Sequence, residues 1–169
     1  MPANLFSATI TAQQWPESFS LGEQVQVSET SVTVVIEANE LISITGGASF
    51  VYGEQWDGRV DLTYDAAANA VSGSGTLGMT EDAQADGISL GEQAGGTILK
   101  EAEATVTVEE NTFVEATGHF AAEVPYEELP TFRISSEELT YGFADSALSG
   151  ALTATTMRQI TLGPEEGTQ

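Results

Sequence analysis

"SVTVVIEANELISITGGASFVYG", Ser31–Gly53, is the stretch whose reading decides the fold. Its first eight residues, Ser31–Ala38, are β-branched and roughly alternating, the period of a half-buried strand rather than of a helix. Asn39-Glu40 is a tight-turn dipeptide, and "ELISITGGASFVYG" resumes the strand pattern, so the segment reads as a hairpin.

The same grammar extends in both directions. Arg59–Asp65 alternates cleanly, with Val60, Leu62 and Tyr64 on one face. "AAANA" (residues 66–70) is a second turn, and "VSGSGTLGMT" returns from it. Further on, "ATVTVEE" leads to a turn at Asn111-Thr112 and then to "FVEATGHFAAEV"; "FRISSEELTYGF" passes through "ADSA" to "LSGALTATT". "LFSATITAQ", residues 5–13, is one more strand near the N-terminus. Gly46-Gly47, Gly73, Gly75 and Gly78 lie inside strands and mark bulges or bends. Two helical pieces are expected: two turns over Thr97–Ala104, with Lys100 and Glu103 one turn apart, and one turn over Thr80–Asp86 with Thr80 as N-cap.

The second series of strands echoes the first. "SLGEQ" stands at Ser20–Gln24 and again at Ser89–Gln93. Thr33-Val34, Asn39 and Thr45-Gly46 reappear 72 residues later as Thr105-Val106, Asn111 and Thr117-Gly118. "DLTYDAAANAVSGS" (Asp61–Ser74) matches "ELTYGFADSALSGA" (Glu138–Ala151) at an offset of 77, and "ITLG" at Ile160–Gly163 echoes "ISLG" at Ile88–Gly91. Offsets that grow from 69 to 72 to 77 are what small loop insertions produce. The expected fold is therefore all-β. It is a single domain over residues 1–169, a sandwich or barrel of about eight to nine antiparallel strands built from a duplicated unit of about seventy residues. The pseudo-repeats fall at about 20–88 and 89–160, with an extra strand over 5–12 and a tail over 161–169.

Charge limits the partners. Twenty-six acidic residues against four basic ones, Arg59, Lys100, Arg133 and Arg158, give a net charge of −22. Such a surface repels phosphate backbones and anionic lipid, so neither nucleic acid nor membrane is an expected partner. Residues 1–88 carry twelve acids and one base and residues 89–169 fourteen and three, so neither half is a cationic dock for the other. The scarcity of lysine suits a saline habitat as well as a cationic partner. The chain has no cysteine, hence no disulfide, thiolate metal site or cysteine nucleophile. "MPANLFSATITAQQW" lacks the basic and apolar regions of a Sec leader, and no apolar run reaches the ~18 residues of a membrane span. Synthesis in the cytoplasm without a Sec signal is expected, with the virion as a destination.

Chemistry is sparse. His119, the single histidine, has Glu115 on its own strand face, roughly 13 Å away. Its counterpart in the first copy is Gly47, and it reads as an edge or exposed histidine. The adjacent pairs Glu109-Glu110, Glu127-Glu128, Glu137-Glu138 and Glu165-Glu166 point to opposite strand faces and make poor acid/base dyads. "DGRVD" (Asp57–Asp61) and "EDAQAD" (Glu81–Asp86) cluster carboxylates without the spacing of an EF-hand loop. "GSGTLG" (Gly73–Gly78) lacks the Lys-Ser/Thr of a phosphate loop. Tyr64 and Tyr141 occupy matching core-facing positions. Trp56 lies in a loop, free to stack on a partner or fold back. No residue is assigned as catalytic, cofactor-binding or metal-ligating, and no cofactor is expected.

Two functions follow. The first is a non-enzymatic, self-assembling structural subunit that forms homo-oligomers and joins other structural proteins, with its terminal strands adding to a neighbour's sheet edge. A virion component such as a capsid decoration, head-fibre or tail protein fits that role. The alternative is a small β-barrel that binds or cyclises an apolar small molecule. A third setting, an extracellular adhesin, is disfavoured by the absent Sec leader.

Overall fold

The computed structural model describes residues 5–14, 17–126 and 129–157. Twelve strands, β1 (Ala8–Gln13), β2 (Ser18–Leu21), β3 (Val25–Glu37), β4 (Glu40–Tyr52), β5 (Trp56–Asp65), β6 (Ala70–Met79), β7 (Ile88–Ser89), β8 (Ile98–Glu109), β9 (Thr112–Tyr126), β10 (Leu129–Gly142), β11 (Ala147–Gly150) and β12 (Thr153–Thr156), form one antiparallel sheet. The spatial order is β1-β3-β4-β5-β6-β8-β9-β10-β11; β2 also lies on β3, β7 on β8 and β12 on β10. Between β6 and β7 sits one short helix, α1 (Glu81–Asp86), and a single 3₁₀ turn follows at Glu92–Ala94.

All-β is thus the architecture, but the sheet is open. No pairing joins β1 to β11 among the described residues, so the expected closed barrel does not form. The sheet ends at β1, on the outer edge of β3, and at β11 and β12, on that of β10. Nor do the described strands divide into two stacked layers; they belong to one sheet.

Local expectations fare unevenly. The helix at Thr80–Asp86 is present, with Thr80 Oγ1 accepting from the Ala83 N–H at 3.3 Å. The helix expected over Thr97–Ala104 is instead part of β8. Ile98 and Leu99 there pair with β7 on one side and with β9 on the other, and ladder pairing overrides a weak helical propensity. Both hairpin turns sit one residue earlier than expected, at Ala38-Asn39 and Glu110-Asn111. All four residues have positive φ, between 47° and 69°, the geometry of a type I′ turn that follows the twist of its strands.

Register sorts the side chains. Val27, Phe50, Gly58, Leu77, Ala104, Gly118 and Leu139 stand opposite one another in a single row crossing seven strands. The next row on that face reads Ala48, Val60, Gly75, Val106, Ala116, Tyr141, Leu148. The alternate rows read Ser49, Arg59, Thr76, Thr105, Thr117, Thr140, Ser149 and Thr11, Thr33, Thr45, Thr63, Ser72. One face is apolar and the other is a hydroxyl ladder, the pattern of a sheet with one wet side.

The apolar face has little to bury against. Among the described residues the buried side chains are Val27, Ala70, Met79, Ala83, Ala121, Ala122 and Ser136, and no large side chain is fully enclosed. Leu77, at the centre of the face, is 39% exposed. The accessible surface is 12416 Å², against roughly 7,900 Å² for a compact monomer of this mass.

Candidate functional site

The apolar face carries a groove of about 390 Å³ walled by Trp56, Leu77, Phe120, Leu139, Tyr141 and Leu148. Trp56, expected in a loop, instead opens β5, opposite Tyr52 and Met79, and is half-buried. Tyr64 and Tyr141 share this face as the alternation predicts, but they are half-buried rather than enclosed. Tyr64 donates its hydroxyl to Asn69 Oδ1 at 3.0 Å. Tyr141 packs edge-on to Phe143, their centroids 5.2 Å apart, and Phe143 continues to Phe113 at 5.5 Å. Such an aromatic cluster offers area and geometry and no ionisable chemistry.

On the polar face the charged groups pair locally. Arg59 grips Asp61 through two nitrogens, Nε to Oδ2 at 2.5 Å and Nη2 to Oδ1 at 2.8 Å. The hydrogen bond to Asp61, reinforced by its charge, holds the guanidinium pKa above its ordinary value. Gly47 makes room for this pair, because a Cβ there would stand 2.3 Å from Asp61 Oδ1. His119, at the position matching Gly47, faces across to β8 rather than along its own strand. Its Nε2 lies 3.3 Å from Glu101 Oε1, and Arg133 Nη2 lies 4.0 Å from Glu101 Oε2. Glu115 is therefore not its partner. The Glu101–His119–Arg133 group joins the consecutive strands β8, β9 and β10, and it depends on their register rather than on any local spacing. Its members are 35–45% exposed, and solvent holds such pairs to little energy.

The other carboxylates among the described residues do not converge. Glu109 ends β8 and Glu110 enters the turn. Glu137 and Glu138 occupy a bulge in β10, where the register against β9 slips between Ser136 and Leu139. Asp57 and Asp61 share the polar face of β5, and Asp61 is committed to Arg59. Glu81, Asp82 and Asp86 lie on exposed α1. Among the described residues no three His, Cys, Asp or Glu side chains are grouped to hold a metal. Gly73–Gly78 runs straight through β6. Glu127-Glu128, Glu165-Glu166, Trp15 and the 161–169 tail lie outside the described residues.

The edges are the remaining feature. Within "LFSATITAQ", Ala8–Gln13 form β1, which lies on the outer edge of β3 in the same chain. At the opposite end Leu148 and Leu152 are 68% and 66% exposed. Among the described residues no helix is long and apolar enough to cross a membrane. Comparison with protein-family models, curated proteins and solved structures finds no match. What the fold and surface define is a class: an open, single-layer antiparallel sheet with one apolar face.

Proposed function

We propose that this chain is a non-enzymatic structural subunit that completes its hydrophobic core by self-assembly. The observation carrying this reading is the apolar face, unbroken across the sheet and left half-exposed. Nine strands at ~4.8 Å, each about ten residues long at ~3.4 Å per residue, give a face of roughly 1,500 Å². A stable interface needs about 800 Å² from each partner. Two copies stacked through this face make the two-layer sandwich that one copy lacks. The charge of −22 keeps the remaining surface soluble. A virion shell, fibre or tail is one assembly that would use such a subunit.

We also propose that the chain arose from two copies of one unit, and several details support it. The bulge residue Ile42, between the pairs Val35–Ser43 and Ile36–Leu41, has its counterpart 72 residues on in Val114. The turn residues Ala38-Asn39 and Glu110-Asn111 share that offset. Gly73 at φ 151° and Gly150 at φ 143° share the offset of 77.

The ligand-barrel alternative loses its barrel, and the open apolar groove fits side chains of a second copy. Leu77→Glu tests the main reading by placing a charge at the centre of the face. A variant that sediments as one chain with its β circular dichroism intact supports face-to-face assembly. An undiminished multi-chain mass overturns it.

A further inference from the structure

The β6–β8 seam is where the two units meet, β6 of the first lying on β8 of the second. Gly73 pairs with Val108 and so on to Gly78 with Glu103. At its turn end, Val71 donates its N–H to Asn111 Oδ1 and accepts the Asn111 N–H, both at 2.9 Å; the Glu110 N–H donates to Ser72 Oγ at 3.0 Å. In mid-seam Thr76 Oγ1 and Thr105 Oγ1 are 2.9 Å apart.

β1 makes the same seam on β3. Ala8 pairs with Ile36 and so on to Gln13 with Ser31. Phe6 exchanges the same two hydrogen bonds with Asn39, each at 2.9 Å. The Ala38 N–H donates to Ser7 Oγ at 3.1 Å, and Thr11 and Thr33 hydroxyls lie 3.1 Å apart. Each contact is the β6–β8 contact displaced by 65 residues on one strand and 72 on the other. β1 is thus a stand-in for β6, filling the seat that a preceding unit would fill.

The chain carries a third strand of this kind. "ALSGALT" (Ala147–Thr153) stands 77 residues after "AVSGSGT" (Ala70–Thr76), with Leu148, Ser149 and Thr153 matching Val71, Ser72 and Thr76. Its first four residues, β11, lie on β10 in the register that Ala70–Gly73 keep on β5, and Thr153 opens β12, which lies on β10 one residue out of that register; among the described residues the outer edge of neither meets a strand. We infer that the β11–β12 edge of one copy docks into the β3 seat of a second copy, displacing β1, which acts as a removable cap. The inference rests on the self-assembly reading and gives it a direction. Because the joined edges differ, the contact is heterologous and propagates head to tail. Leu148 and Leu152, bare in one copy, gain neighbours at the junction.

The chain has no cysteine, so engineered pairs report without background. Full-length Thr33→Cys and Thr153→Cys variants, mixed and oxidised, are expected to give several-fold more disulfide-linked heterodimer than a Thr63→Cys and Thr153→Cys mixture. Thr63 lies on interior strand β5 and serves as the off-seat control. A chain carrying Thr11→Cys and Thr33→Cys locks β1 in place when oxidised. It is expected to lose higher-order assembly and to regain it on reduction. Heterodimer no more abundant than the control, with assembly indifferent to the lock, overturns the inference. If the unmodified chain then still forms multi-chain particles, face-to-face assembly stands alone; a single-chain mass removes both.

Discussion

Thr76 and Thr105 face each other across the β6–β8 seam with hydroxyl oxygens 2.9 Å apart, and Thr11 and Thr33 repeat the contact at 3.1 Å on the outer edge. One seam is interior and holds the sheet together. The other holds a six-residue strand. Identical chemistry in unequal settings lets the two be compared by mutation.

The turn asparagines are the first such comparison. Asn111 and Asn39 both sit at positive φ and both accept a strand N–H. Asn111→Ala removes two side-chain hydrogen bonds at the central seam, from the Val71 N–H and to the Asn69 carbonyl, and is expected to cost about 1–3 kcal/mol in urea unfolding. Asn39→Ala is expected to leave the midpoint closer to wild type while speeding amide exchange across β1, because a short edge strand opens locally. Equal effects at both sites would contradict the distinction between seam and cap.

The paired glycines give the second. A Cβ on Gly73 would stand 2.1 Å from the Asp61 carbonyl oxygen, inside the sheet and at φ 151°. Gly73→Ala is expected to destabilise by roughly 2–4 kcal/mol, since both strain and clash act on the folded state. Gly150→Ala meets the Glu138 carbonyl at 2.6 Å but lies on terminal β11, which can peel away. Its thermal midpoint is expected to fall less.

Charge on the free edge is the third. Leu148→Lys with Leu152→Lys replaces two residues that one copy leaves more than three-fifths exposed. Lysine blunts edges against pairing. The double variant is expected to keep its unfolding midpoint within about 1 kcal/mol of wild type, as surface changes do, while its solution mass drops. A mass equal to wild type would argue that this edge joins nothing.

Salt is the fourth. With a net charge of −22, approaching copies repel, and the Debye length shortens from about 30 Å at 0.01 M to about 3 Å at 1 M. Assembly is expected to begin at lower protein concentration as salt rises, read by static light scattering. Dissociation by salt would point to ion pairs as the glue.

Much of the fold is legible in the residues. Period-two alternation in Arg59–Asp65 places Val60, Leu62 and Tyr64 on the apolar face where they are found. Thr80 ahead of two acids marks α1. Where sequence reading errs, long-range pairing decides. Thr97–Ala104 has helical spacing, yet its neighbours β7 and β9 recruit it as a strand. The barrel expectation assumed that the first and last strands meet, and alternation carries no information on closure. The Glu101–His119–Arg133 group depends on register across three strands and has no local signature. The capping role of β1 does have one: Ser7 and Thr11 keep the spacing of Ser72 and Thr76.

The most direct test of the central claim is the mass of the unmodified full-length chain in solution, measured by light scattering over a hundredfold range of concentration at low and high salt. Particles of two or more chains, growing with concentration and with salt, are the expected result. A mass of 17.7 kDa at every concentration and every salt would contradict it, and would mean that the apolar face stands open to solvent in the working protein.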